Sequence, residues 1–399
     1  MNKKLFLALP LVALLASCNA KGGDSIPSAK KQVLPEGSVE ATEEQKAGCY
    51  ALLTPSILSI SDNMMINLHL DADVKVSGKI EETKVNSDVK LNGDVSIAFD
   101  REEPVKDQPN YYAQIKAEDL SIYAKGLPFE ALKGKTLNYS GLDFTVQIIE
   151  EYEKPVYFRV DFSDHELQNA ISDLMSKFVP AESLQQMDAI LTAILGAKGD
   201  DGYRPGLTQV NVSQIVTDIN AYYESKGEEV PVDPQTAAHP IETALIYLSY
   251  YVSGEKGITQ YIPMIPALGQ QLGFTVGGKS VEGRGDISFV YNNSIANICK
   301  AMGMSAEDMK NVPVKGNVGL LLTVGNTHGT DNVMLEELGV SAGVKYSMEG
   351  NTVVAGVDLG LSLLYNDMAE FDILSSEGIL DATMAAEIII ASFITEPAE

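Results

Sequence analysis

The chain has 399 residues and carries 55 acidic against 29 basic side chains, a formal charge of −26. A field of that sign and size repels nucleic acid and anionic headgroups, so neither is expected as a partner; basic proteins, cations and neutral ligands stay open. With 45% hydrophobic and 21% charged residues the chain is not of the disordered class, and its length suits one large domain or two of common size.

In chain order the first element is an export signal. Lys3 and Lys4 form a positive start and Leu5 to Leu14 an apolar run of about ten residues, the pattern of a secretory signal. The run is too short to span a bilayer, which needs about twenty apolar residues. Ala16 and Ser17 then lead into a cysteine, and Leu15-Ala16-Ser17-Cys18 resembles the lipobox of bacterial lipoproteins at every position. That resemblance implies cleavage between Ser17 and Cys18, with a diacylglycerol on the Cys18 thiol and an N-acyl chain on its new amino terminus. It implies no other cofactor, no transmembrane helix in the mature chain, and a place in the cell envelope. That place is the outward side of the cytoplasmic membrane or the outer membrane. Two long acyl chains contribute on the order of 20 kcal/mol of membrane binding, at about 0.8 kcal/mol per buried methylene. Loss of the two signal lysines takes the charge from −26 to −28.

Residues 19–41, rich in Gly, Ser, Pro and Lys without apolar period, read as a flexible tether behind the lipidated cysteine, residues 18–41 together. Order is expected from Thr42, whose spacing to Gln45 suits a capping box. The body is 42–399, either undivided or in two parts, 42–200 and 201–399. In "NLHLDADVKVSGKI" the residues Leu68, Leu70, Ala72, Val74, Val76 and Ile80 alternate with polar ones, and Val85 to Phe99 repeat the pattern. A period of two held this long predicts long strands with one dry and one wet face. Further strands are expected near Tyr111 to Tyr123, Leu137 to Ile149 and Val156 to Phe162, an antiparallel meander.

The period then changes. After Ser163 and Glu166, spaced as a capping box, Leu167, Ala170, Ile171, Leu174, Met175 and Phe178 lie on one helical face. Leu184 to Leu195 and Val212 to Tyr223 give two more amphipathic helices, and "IETALIYLSYYVSG", apolar nearly all round, reads as a buried helix. Strands return at Val318 to Val324, Val340 to Tyr346 and Val353 to Leu363, before a last helix over about Ala382 to Phe393. The expected fold is α+β: a large antiparallel sheet of long amphipathic strands, its dry face covered by the central block of helices. In element order it resembles the half-barrel lipid carriers of bacterial envelopes, LolA-like and mycobacterial types. It is longer than they are, and its helical block of roughly a hundred residues is additional.

The motifs carry little chemistry. "GFTVGGKS", Gly273 to Ser280, fits a phosphate loop in letters, but the residues after Ser280 alternate as a strand, and a phosphate loop needs a helix there. Arg284, Gly285 and Asp286 resemble the integrin-binding tripeptide, a candidate adhesion motif; in a strand, alternation simply points Arg284, Asp286 and Ser288 to the wet side. Cys49 and Cys299 form a disulfide or remain two small buried residues. Among His69, His165, His239 and His328 none has metal-ligand spacing, although His69, Asp71 and Asp73 share a strand face that could hold a cation weakly. No catalytic or metal-ligating set emerges. The expected function is that of a membrane-anchored, non-enzymatic lipoprotein binding or carrying a hydrophobic ligand. Two alternatives are a surface-exposed adhesive or structural module and an enzyme of unknown class.

Overall fold

The long alternating runs become long strands. The computed structural model describes residues 26–80, 83–127, 132–310, 312–348 and 351–395; Cys18 and the cleavage site before it lie outside them. The early meander consists of β2 (Met64–Ile80), β3 (Thr83–Val105), β4 (Gln108–Lys125), β5 (Thr136–Glu150) and β6 (Tyr157–Asp161). The late one consists of β8 (Thr275–Val281), β9 (Arg284–Ser294), β10 (Val314–Gly325), β11 (Met334–Met348) and β12 (Asn351–Tyr365). Short strands β1 (Val39–Glu40), β7 (Leu207–Asn211) and β13 (Leu380–Asp381) complete one 13-stranded sheet. Its order is β1-β8-β9-β10-β11-β12-β2-β3-β4-β5-β6-β7-β13. Every pairing is antiparallel except β13 with β7. The two meanders join at the centre, where β12 runs against β2 from Thr352↔Ser77 to Tyr365↔Met64.

Register places the apolar sets together. Leu70 of β2 stands opposite Leu359 of β12, which stands opposite Val340 of β11. Since side chains alternate between faces, this gives the sheet one continuous dry face and one polar face, as the α+β expectation requires.

The helices are α1 (Glu43–Tyr50), α2 (His165–Phe178), α3 (Leu184–Leu195), α4 (Val212–Ser225), α5 (Pro234–Ala238), α6 (Pro240–Ser253), α7 (Ile265–Leu272), α8 (Ile295–Ala301), α9 (Ala306–Lys310) and α10 (Thr383–Thr395). The capping box of α1 forms as read, with Thr42 N donating to Gln45 Oε1 and Gln45 N to Thr42 Oγ1. At α2 the cap is Asp164, not Ser163: its Oδ1 accepts from Leu167 N at 2.7 Å. The main core lies between one end of the dry face and α1, α6 and α7. It holds Met64, Phe99, Phe289, Leu322 and Tyr365 from the sheet with Tyr50, Ile241 and Leu245 from the helices. Tyr50 and Phe289 meet with ring centroids 5.2 Å apart.

Two expectations change here. Helix α6 is not buried: only Ile241 and Leu245, one turn apart, face the sheet, while Ile246, Tyr247, Tyr250 and Tyr251 are exposed. Apolar residues all round the helix meet cover on one side only.

The tether is the second. Residues 26–41 pack instead of hanging free. Lys30 pairs with Asp358 at 2.6 Å, Gln32 exchanges two hydrogen bonds of 2.8 Å with Asn292, and Ser341 Oγ donates to the Lys30 carbonyl. The strap crosses the polar face, adds β1 beside β8, and turns onto the dry side as α1. Its floor is paved with glycine. A Cβ at Gly277 would lie 2.7 Å from Leu34, and one at Gly343 would overlap the Pro27 carbonyl. With no side chain in the way, a second backbone lies directly on the strands.

Candidate functional site

Among the described residues, the middle of the dry face is less covered than its ends. Towards one end stands the main core; towards the other, Val76 with Val353, and Ala342, Val344 and Ala355, form small buried clusters. At the flanks α2 packs on β5, where Phe144 meets Phe162 edge-on at 6.1 Å, and α8 packs on β9 and β10. Between them Leu70, Ala72, Leu91, Val95, Val340 and Val357 are only half-buried, Leu359 is 40% exposed and Ile115 44%. Five strands about 4.8 Å apart over two or three residue pairs give an apolar floor on the order of 300 Å². Its chemistry is that of a surface for a hydrophobic molecule, with no titratable side chain in it.

The polar face carries a different space. Beside the strap a cavity of about 540 Å³ is lined by Lys30, Gln32, His69, Asp94, Glu118 and Glu337 among others. Its charges are largely matched: His69 Nδ1 lies 2.8 Å from Asp94 and Lys30 pairs with Asp358. The cation reading of His69, Asp71 and Asp73 loses two members to other partners, because Asp73 pairs with Lys90 at 3.3 Å.

The tripeptide Arg284, Gly285 and Asp286 starts β9. Arg284 and Gly285 are exposed, but Asp286 is 3% exposed, so the carboxylate an adhesion motif must present is turned into the fold. Its Oδ2 accepts from Thr327 Oγ1 at 2.9 Å and lies 3.7 Å from Lys279. The same Thr327 hydroxyl is 3.1 Å from Glu336 Oε2. One hydroxyl thus sits between two buried acids. Burial, then Asp286, push the pKa of Glu336 up, opposed by the hydrogen bond it accepts from His328 N–H. The "wet side" reading fails because the strap and the loop after β10 lie over this part of the polar face.

Cys49, on α1, and Cys299, on α8, are both free and half-buried in this structure. Burial raises each thiol's pKa. The letters of the phosphate loop lie on the end of α7, with Gly273 left-handed at its C-cap (φ 74°), and on strand β8.

One set was not visible in the sequence. Glu150, His239 and Glu242 bring three ligand atoms within 4.8 Å of one another, a donor set suited to a divalent metal. Glu150 is already engaged, with Oε1 on His239 Nδ1 at 2.9 Å and Oε2 accepting from Ile241 N at 3.0 Å, so it caps α6. Burial raises its pKa, and the His239 and Ile241 contacts offset this in part. A separation of 89 positions between Glu150 and His239 leaves no local spacing to read.

No family model matches the chain, and no curated protein does. Among solved structures it is similar to one described as "lipid-protein interactions in lipovitellin", at 8% identity and a TM-score of 0.22. The match covers 80% of this chain and 27% of that one, so the chain spans about a quarter of that structure's length. An overlap of this quality assigns no residue a role. Fold and register therefore define the class: an α+β protein on one long-stranded, almost wholly antiparallel sheet. No helix among the described residues is long and apolar enough to cross a membrane.

Proposed function

We propose that this protein is a lipid-anchored component of a bacterial cell envelope that binds a hydrophobic molecule on the uncovered band of its dry face, without catalysing a reaction. Cys18 is the anchor in this reading. The observation that carries it is the band itself: Leu70, Val340, Val357 and Leu359 have the residue types and register of core yet stay half-buried or exposed. Apolar area left in water forgoes about 25 cal/mol per Å², and a bound ligand recovers it.

Native mass spectrometry of the full chain purified from its own membrane tests the reading. A co-purifying hydrophobic molecule is expected, lost in Leu359→Glu, at a half-exposed position of the band, in a variant whose circular dichroism is that of the wild type. A bare chain in the wild type, or equal retention in the variant, refutes it. A second reading, an interaction module, draws on a different observation, the exposed Ile246, Tyr247, Tyr250 and Tyr251 of α6. Such a row of aromatic side chains is the composition of a protein interface.

A further inference from the structure

The path of the N-terminal strap bears on which side of the sheet meets the membrane, an inference that rests on the anchoring proposed for Cys18. The described chain begins at Ile26, and Pro27 lies against Gly343 and Gly356 on the polar face. These glycines belong to β11 and β12, adjacent strands well inside the sheet, so the strap enters near the middle of that face. The nearer lateral edge, at β1, is about 20 Å away at about 4.8 Å per strand.

Eight residue-to-residue steps separate Cys18 from Ile26. Fully extended they reach about 27 Å, and as a flexible chain they span about 15 Å root-mean-square. To bring the helical side against the membrane the chain would have to reach the edge and then pass a sheet and a helix layer, each about 10 Å deep, some 40 Å in all. Without the strap the free chain would run from Cys18 to Ala41, with a reach of about 80 Å, and no orientation would be imposed.

We propose that the polar face is the membrane-proximal face of the anchored protein, held there by the strap, and that the apolar band and helices α6 and α7 point away from that membrane. The surface it meets is one of zwitterionic headgroups. The face carries both signs in pairs, Lys90 with Asp73, Lys116 with Glu118 and Lys30 with Asp358, which complements a layer of mixed charge and gives no attraction to an anionic one. A hydrophobic ligand then reaches the band from the side facing away from the anchor.

The chain contains no tryptophan, so one introduced indole is a clean reporter. The protein from Cys18 onward, with Cys49→Ala and Cys299→Ala, is coupled at Cys18 to a maleimide phospholipid. It is placed on phosphatidylcholine vesicles with dansyl-labelled headgroups. Energy transfer from Lys75→Trp, on the exposed polar face, is expected to be several-fold more efficient than from Tyr251→Trp, on the outer side of α6. Equal or reversed transfer overturns the orientation. Adding Gly343→Val, which drives the strap off its floor, is expected to lower the transfer from Lys75→Trp; unchanged transfer overturns the strap's part in it. Anchoring is read separately, from the mass of the native chain. A Cys18 without acyl groups overturns the anchoring whatever the vesicles show, and equal transfer overturns the orientation whatever the mass shows.

Discussion

Two stretches of the same dry face have opposite fates. At one end Met64, Phe289 and Tyr365 are almost fully buried under α1, α6 and α7. A few residues further along the same strands Leu70, Val357 and Leu359 alternate in the same register yet stay half-buried or exposed among the described residues. Alternation therefore selects a face, while the cover decides whether that face is core or binding surface. The band differs from the core in what lies above it, not in its own residues.

The comparison breaks most visibly at the core end. Phe289→Ala removes a ring that is fully buried and lies tilted against Tyr50, and is expected to cost about 3–5 kcal/mol in denaturant unfolding. A cost as small as that of a change at Leu359 would mean that the two stretches are not differently packed.

On the polar face the corresponding test is Gly343→Val, whose side chain would displace the strap from Pro27. A loss of about 1–3 kcal/mol is expected, together with faster proteolysis before Thr42 in a timed digest. An unchanged digestion pattern would show that the strap is not held by its glycine floor.

The smallest effect concerns Glu336. Its pKa is raised on folding from an ordinary value of 4.5, by burial first and then by Asp286. The folded state thus binds more protons than the unfolded chain between that value and the raised one, so stability is greatest below about 4.5 and declines as pH rises through the folded value. Glu336→Gln keeps the shape and removes the titration. Its unfolding midpoint, followed from pH 5 to 8, is expected to fall less than that of the wild type. Parallel pH profiles would assign the slope to the general acidic charge instead.

Several elements were legible in the residue order alone. The alternation of "NLHLDADVKVSGKI" gave β2, the Thr42 and Gln45 pair gave the start of α1, and the spacing from Leu167 to Phe178 gave α2. Each is a local rule of period or cap, satisfied within a few residues. Asp164 took the cap expected of Ser163 because either residue can accept from the first turn, and the backbone entering the helix decides which one does.

The sequence by itself determined the faces of the strands, the helical faces and the class of fold, because side-chain period is a property of the local backbone. Only the tertiary structure decided the rest. Gln32 meets Asn292 across 260 positions, Lys30 meets Asp358 across 328, and Glu150 meets His239 across 89. Composition made residues 26–41 look like a tether, and they became a strap because glycines on strands far along the chain leave room for a backbone. Helix α6 read as buried and is exposed on its outer side, the acid of the adhesion-like tripeptide read as wet and is buried, and the dry face read as covered by helices is half-exposed along its middle. In each case the residue's own character is unchanged; its burial depends on which distant segment lies over it, and no local pattern encodes that.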